Sequence, residues 1–408
     1  MLITLIPLFD EAMKVSAYSF FSQKKNHLLD PRSLSTGRND GASNIPALEV
    51  IQSMGVEALS GNKELFVPVN NVSIFADING QCDAPPAQIV LLLDNSLLPD
   101  EMYVNRLKEL KKIGYQLAIR KLTVQNFERY KSILQLMDYI LLDHKKIDVS
   151  KAKLYFNQVY PELKIIAGNI KTNEIYKALT AEGGYRLFEG EFFRIPLTKG
   201  QNKVAPLKVN YIQLLNLVNS GNFELTKAAD VIGQDTALVI SLLKMVNRIA
   251  INSEITSIRH AAAMLGQKEL KKWINTAVTN ELYADKPNEI TRLSLIRAKF
   301  AENLAPIFDM QLQAAELFLM GLFSVLDVIL ERPINEALEL VKVSKEIREA
   351  LVDKKGKFAP VYEFVIQYET ANWQEISRLM LLQNIEMKQI YQAYLDSLQW
   401  YSNLVAGE

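Results

Sequence analysis

QIVLLLDNSLLPDEMYVNRLKELKKIGYQLAIRKL, residues 88–122, decides the fold class. It opens with the apolar run QIVLLLD (88–94), which reads as a buried strand. In residues 100–113 the apolar positions Val104, Leu107, Leu110 and Ile113 then recur at helical spacing. GYQLAI (114–119) returns to a short apolar run and ends in two cations, Arg120 and Lys121. Other β-rich runs lie on either side: LITLIPLF (2–9), ELFVPV (64–69), YILLD (139–143) and LKIIAG (163–168). Strands alternating with helices imply a parallel sheet, and a closed (β/α) barrel is one of its common solutions. The basic pair then falls at the carboxyl end of a strand, where such folds place their chemistry.

The chain has 408 residues, enough for two domains with separate cores. Its character changes near residue 200. LTKGQNKVAPLK (197–208) is polar with Gly and Pro and reads as a linker or first cap. Beyond it the segments are helical, for instance TALVISLLKMVNRIA (236–250), AAELFLMGLFSVLDVIL (314–330) and IEMKQIYQAYLDSLQWYSNLV (385–405). The expected division is an α/β domain over residues 1–200 and an all-α domain over 201–408. The loop PRSLSTGRNDGASNIP (31–46) reads as mobile.

Lys plus Arg equals Asp plus Glu at 46 each, so the formal net charge is zero, which argues against a polybasic nucleic-acid binder. A single cysteine, Cys82, excludes an intrachain disulfide and fits a reducing compartment. No Cys/His zinc spacing occurs. The N-terminal MLITLIPLF lacks the basic start of a signal peptide and reads as a first strand, and no uncharged run reaches the ~18 residues of a membrane span. A cytoplasmic location is expected.

Several stretches of the first half together resemble the EAL domain, a barrel phosphodiesterase that hydrolyses the bacterial second messenger cyclic di-GMP with divalent metals. IPLFD (6–10) is similar to the family's QPIFD, and DNSLLPDEMYVNRLKELKKIGYQLAI (94–119) follows its strand, helix and "GY-x-hydrophobic-A" sequence. AGNIKTNEIYKAL (167–179) resembles AEKVET plus helix, and YRLFEGEFFRIP (185–196) resembles "F-Q-G-Y-x-F-x-x-P". The metal-binding and phosphate-binding positions that the resemblance implies are altered. The name-giving glutamate falls at Ser19, the arginine after it at Gln23, and the second glutamate at Leu92. The paired aspartates fall at Arg120 and Lys121. The lysine of "K-x-D" falls at Leu141, the glutamate of AEKVET at Gly168, and a glutamine at Glu189. Asp143 survives, together with Asn70 or Asn71, which spacing does not separate; Asn71 is carried forward.

Two metals held close together need several carboxylates, and cations in their place repel them. The expectation is therefore a degenerate site with no catalytic residues, no metal and no cofactor. Arg120 and Lys121, with Asn71 and Asp143, are candidate contacts for a nucleotide phosphate bound without metal. The plainer alternative has the two cations facing solvent or pairing with Glu189 or Asp143.

In the second half, QDTALVISLLKMVNRIAINSEITSIRHAAAMLGQKELKKWI (234–274) resembles the HDOD domain, an all-α relative of the HD phosphohydrolases. Asp235, Leu238, Leu242, Leu243, Asn247, Ile258, Ala262, Leu265 and Gly266 fall in its register, while Thr236 and Arg248 replace its usual Pro and Ser. The three histidines are His27, His144 and His260, and no His-Asp pair occurs, so metal-dependent HD chemistry is not expected. The resemblance implies a bacterial EAL–HDOD signalling protein linked to motility or surface attachment. Its helical half would bind protein partners, its barrel is a candidate for self-association, and neither nucleic acid nor membrane is expected as a partner. Tyr391, Tyr394, Leu398, Trp400 and Tyr401 on the last helix are read as a partner surface or as buried against the helical domain.

Overall fold

The computed structural model describes residues 1–26, 28, 44–194, 206–219, 223–249, 255, 257–282, 288–341 and 343–405. His27, most of the loop 31–46 and the linker residues 197–205 lie outside this set. The chain divides into two units, Met1–Ile195 with Ile366–Gln399, and Pro196–Val365 with Trp400–Glu408.

Eight strands close a barrel in the first unit: β1 (Leu2–Phe9), β2 (Val15–Gln23), β3 (Glu64–Pro68), β4 (Ile89–Leu93), β5 (Gln116–Ile119), β6 (Tyr139–Asp143), β7 (Lys164–Ile170) and β8 (Leu187–Gly190). Helices α1 (Pro46–Met54), α2 (Glu101–Ile113), α3 (Val149–Val159) and α4 (Asn173–Glu182) lie between them. The strand, helix, strand reading of residues 88–122 is realised as β4, α2 and β5. Local chemistry sets the limits of α2: the Asp100 side chain accepts a hydrogen bond from the Tyr103 N–H (3.1 Å), and Gly114 ends the helix at φ 113°.

The barrel departs from the expected parallel sheet at one strand, because β1 runs antiparallel to both neighbours. The sequence reading did not count residues 15–23 or 187–190 as strands. Yet VSAYSFFSQ is β-branched and aromatic, and it follows β1 through a tight turn with Met13 at φ 61°. β1 pairs with β2 along its whole length, from Leu2 opposite Gln23 to Phe9 opposite Val15. β8, however, meets β1 only at Leu8 and Phe9, and β3 meets β2 only at residues 17–19. The hairpin therefore extends beyond its pairing with β3 toward and past the carboxyl rim, Phe20 to Gln23 spanning ~10 Å.

The C-terminal part of the chain corrects the expected division at residue 200. Ile366–Gln399 belongs to the barrel unit and supplies the end of α9 (Ala359–Glu369), all of α10 (Trp373–Leu382) and most of α11 (Met387–Val405). Ile376, Met380, Ile390, Tyr394 and Leu398 are buried there. For Tyr394 and Leu398 the burial is in the barrel unit rather than in the helical domain.

The second unit is helical. Its α5 (Thr236–Ile249) begins where the Asp235 carboxylate accepts from the Leu238 N–H (3.0 Å) and the Tyr211 hydroxyl (2.8 Å). In α6 (Ile258–Leu282) the chain kinks at Gly266, whose φ of 73° a side chain would resist. Helices α7 (Asn288–Leu304) and α8 (Ala314–Phe323) cross closely enough that a Cβ on Gly321 would lie 2.5 Å from the Arg297 carbonyl oxygen. That approach is reserved for glycine.

Candidate functional site

Side chains alternate across a strand, so the interior of the barrel can be read out to its rim. Leu8, Ala17, Phe66, Val90, Leu92, Ala118, Tyr139, Ile166 and Leu187 form the inner core, with Leu141 packed on it. Stepping by two from these residues puts Ser19 and Phe21, Arg120, Asp143, Gly168 and Glu189 on the inner face at the carboxyl rim. The altered positions thus converge on one mouth, with one exception. Lys121 has the opposite parity.

Leucines 92 and 141 carry the apolar core up to the mouth; Leu92 is 1% exposed. Beside them, Gly168 has no side chain, and the reason is local. A Cβ at residue 168 would fall 2.6 Å from Leu141 Cδ2. The leucine occupies the volume that a side chain on the neighbouring strand would need, so the two alterations fit each other.

The basic pair splits. Lys121 adopts φ 63°, and its ammonium group, half exposed, pairs with Asp94 at 2.8 Å. Burial pushes the Asp94 carboxyl upward, but hydrogen bonds from Lys121 and Ser96 outweigh it and hold the group below its ordinary range. Arg120 turns inward, its guanidinium 5.0 Å above the Phe21 ring. Burial lowers its pKa, and attraction from Glu189 and then Asp94 opposes that. Glu189 lies in the same interior: burial raises its carboxyl above the usual range, Arg120 pulls it back, and Asp143 raises it further. Arg120 Nε, Glu189 Oε2 and Ser19 Oγ are buried atoms without a hydrogen-bond partner. Arg120 and Glu189 keep part of their surface accessible, so the mouth presents unmet hydrogen-bonding capacity.

The remaining candidates are committed locally. Asp143 accepts from the Lys145 N–H (3.0 Å) and the Asn169 amide (3.1 Å), with the Lys146 ammonium 3.7 Å away. Alternation along β3 reaches Asn70 rather than Asn71, but the Asn70 carboxamide oxygen already accepts from the Val72 and Ser73 N–H groups. The Asn71 carbonyl oxygen accepts from the Tyr103 hydroxyl (3.1 Å). Gln23, where the resemblance expects a phosphate-binding arginine, donates to the Lys25 carbonyl (2.7 Å) and to Ser377 Oγ (2.9 Å).

The metal pair of the EAL enzymes does not fit this donor set. Among the described residues no three His, Cys, Asp or Glu side chains gather as metal ligands. Arg120 at the rim would also repel a divalent ion by roughly 8 kcal/mol at ~4 Å and an effective dielectric near 20.

In the helical unit, Asn247 clamps the chain after α5, donating to the Ile255 carbonyl (2.9 Å) and accepting its N–H (2.6 Å). His260 is exposed on α6. The family model described as "HDOD domain" matches residues 204–352. The second half carries an HDOD domain. The helical half thus matches the HDOD family that the sequence resemblance implied, and the first half is the closed eight-stranded barrel which that reading expected. The HDOD motif residues Asp235 and Gly266 have conformational roles in this unit, capping α5 and permitting the kink in α6.

Two curated relatives extend over most of the chain. Uncharacterized protein YuxH of Bacillus subtilis is 27% identical over 410 residues, covering 98% of this chain and 97% of its own. Cyclic di-GMP phosphodiesterase CdgJ of Vibrio cholerae is 26% identical over 327 residues, covering 78% and 74%. Among solved structures, EAL enzyme Bd1971 with cAMP and cyclic di-GMP bound aligns with a TM-score of 0.38 at 14% identity; the alignment covers 48% of this chain and 61% of that one, less than two thirds of its length. No helix among the described residues is long and apolar enough to cross a membrane.

Proposed function

We propose that this EAL–HDOD protein acts in cyclic di-GMP-linked signalling without hydrolysing the nucleotide, through protein partners bound by its HDOD domain. The observation that carries the reading is the coupled replacement at the mouth. Leu92 and Leu141 extend the apolar core, Leu141 fills the space beside Gly168, and Arg120 stands where a metal-binding carboxylate is expected. Restoring a metal pair would require changing all of these together. CdgJ is named a phosphodiesterase, and the proposal is that this chain has parted from that activity while keeping the architecture.

A second reading is favoured by one feature. Arg120 Nε, Glu189 Oε2 and Ser19 Oγ lack partners at the mouth, so the barrel there is suited to a metal-independent receptor for cyclic di-GMP. In this form of the idea Arg120 acts alone, because Lys121 is engaged with Asp94. Calorimetric titration of the full chain with cyclic di-GMP, with and without Mg²⁺, separates the two. No heat of binding supports the docking role; micromolar, magnesium-independent binding that Arg120→Ala abolishes and Lys121→Ala spares replaces it with the receptor.

A further inference from the structure

The hairpin that rises past the rim has an inner face, and the chain itself covers that face. Leu2, Thr4, Phe21 and Gln23 share the parity of Leu8 and Ala17, so they stand over the mouth on the side of β1 and β2. Residues from 366–399 meet this face and its open edge. The Tyr394 hydroxyl bonds Thr4 Oγ1 at 3.1 Å, and Ser377 Oγ accepts from Gln23 at 2.9 Å. The Tyr368 hydroxyl accepts the Ile3 N–H (3.3 Å) and donates to the Ile3 carbonyl (2.9 Å), which caps a stretch of β1 that β8 does not reach. On the far side of the gap, Arg194 just after β8 pairs with Glu369 at 2.6 Å, both largely buried.

We propose that residues 366–399 are a cap carried in cis, which must lift before a polar ligand can reach the recess lined by Ser19, Arg120 and Glu189. Two further observations support movement over permanent closure. First, the cap leaves the recess unsatisfied: its tyrosines and serine bond the hairpin, and none reaches the orphaned atoms of Ser19, Arg120 or Glu189. Atoms in this state take water or a polar ligand. Second, the line where the cap meets the hairpin is open to solvent. A surface cleft of about 420 Å³ lies where α11 meets the hairpin and α1, lined by Met1, Lys24, Pro46, Glu49, Lys388 and Tyr391 among others. In sequence, both ends of the cap continue into the second unit within α9 and α11, so an event in the HDOD domain has a covalent route to the mouth.

Thiol labelling of the full chain tests the cap without reference to any nucleotide, so its outcome is independent of whether the barrel hydrolyses or binds one. In a Cys82→Ser background, Ser19→Cys puts a reporter beneath the cap, and its rate with a small maleimide is measured. The triple change Tyr394→Phe, Ser377→Ala and Glu369→Gln removes anchors without touching the recess. The expected result is labelling at least tenfold faster in the anchor variant, with hydrogen-exchange protection of β4 to β6 unchanged. Arg378→Ala, on the same helices, exposed and paired with Glu375, should leave the rate as it was. Equal rates with and without anchors, or labelling that tracks loss of protection in β4 to β6, would overturn the proposal.

Discussion

Replacing Gly168 by alanine tests the fit between the two altered positions most sharply. The new Cβ would sit 2.6 Å from Leu141 Cδ2, well inside van der Waals contact. Forced overpacking of this kind costs about 1–3 kcal/mol. Alanine recovers about 0.5–1 kcal/mol of chain entropy relative to glycine, since the backbone at residue 168 is not left-handed. A net loss of about 1–2 kcal/mol is expected. Leu141→Ala alone empties partly buried volume and should cost about 2–3 kcal/mol. In the double variant the alanine at 168 occupies space that the leucine has vacated, so the losses should fall short of their sum by at least ~1 kcal/mol. Hydrogen exchange resolved to β6 and β7 under increasing urea reads these values for the barrel apart from the HDOD domain. Strict additivity, or a cost-free Gly168→Ala, would refute the reasoning that Leu141 and Gly168 are a matched pair.

The Glu189 carboxyl is raised by burial, so the native state holds its proton above the unfolded pKa; its stabilising contribution is complete below that value and fades as pH rises through the folded one. Barrel stability measured by urea exchange should therefore fall as pH rises above the ordinary carboxylate range, Glu189→Gln should flatten that slope, and Arg120→Met should move it to higher pH by removing the attraction that opposes burial. Asp94 has the opposite sign: its lowered pKa gives stability that is present above the unfolded value and lost on acidification. Lys121→Ala should weaken that acid-dependent loss, at a cost of only about 0.5–1 kcal/mol for an exposed pair. Tyr368→Phe leaves the Ile3 N–H and carbonyl without their hydroxyl partner, and should cost about 1–3 kcal/mol, seen first as faster exchange of the Ile3 amide.

Much of the barrel was readable because a strand buried on both faces must be an apolar run, as IVLLL in β4 is. The placement of the candidate residues at strand ends was readable for the same reason, since each sits at a fixed place on its strand. What escaped depended on contacts that are remote in sequence. The antiparallel start follows from β1 pairing with both β2 and β8, and no local pattern in LITLIPLF announces it. Strand direction also decides between the two basic residues. Ala118 points into the core, so Arg120 shares its face and Lys121 cannot; strict alternation applied to GYQLAIRKL would have separated them. The match of Leu141 to Gly168 needed the register of β6 against β7. The return of residues 366–399 to the barrel buries Ile376, Met380, Ile390, Tyr394 and Leu398 there; helical periodicity marks such a buried face but not which domain covers it.

The central claim is that this mouth does not assemble a metal pair for phosphodiester cleavage. Incubating the full chain with cyclic di-GMP and Mg²⁺ or Mn²⁺, and following the linear dinucleotide by chromatography, tests it most directly. The account predicts no product above a protein-free blank with either metal; metal-dependent turnover that survives purification and disappears in a Glu189→Ala, Asp143→Ala variant would contradict it.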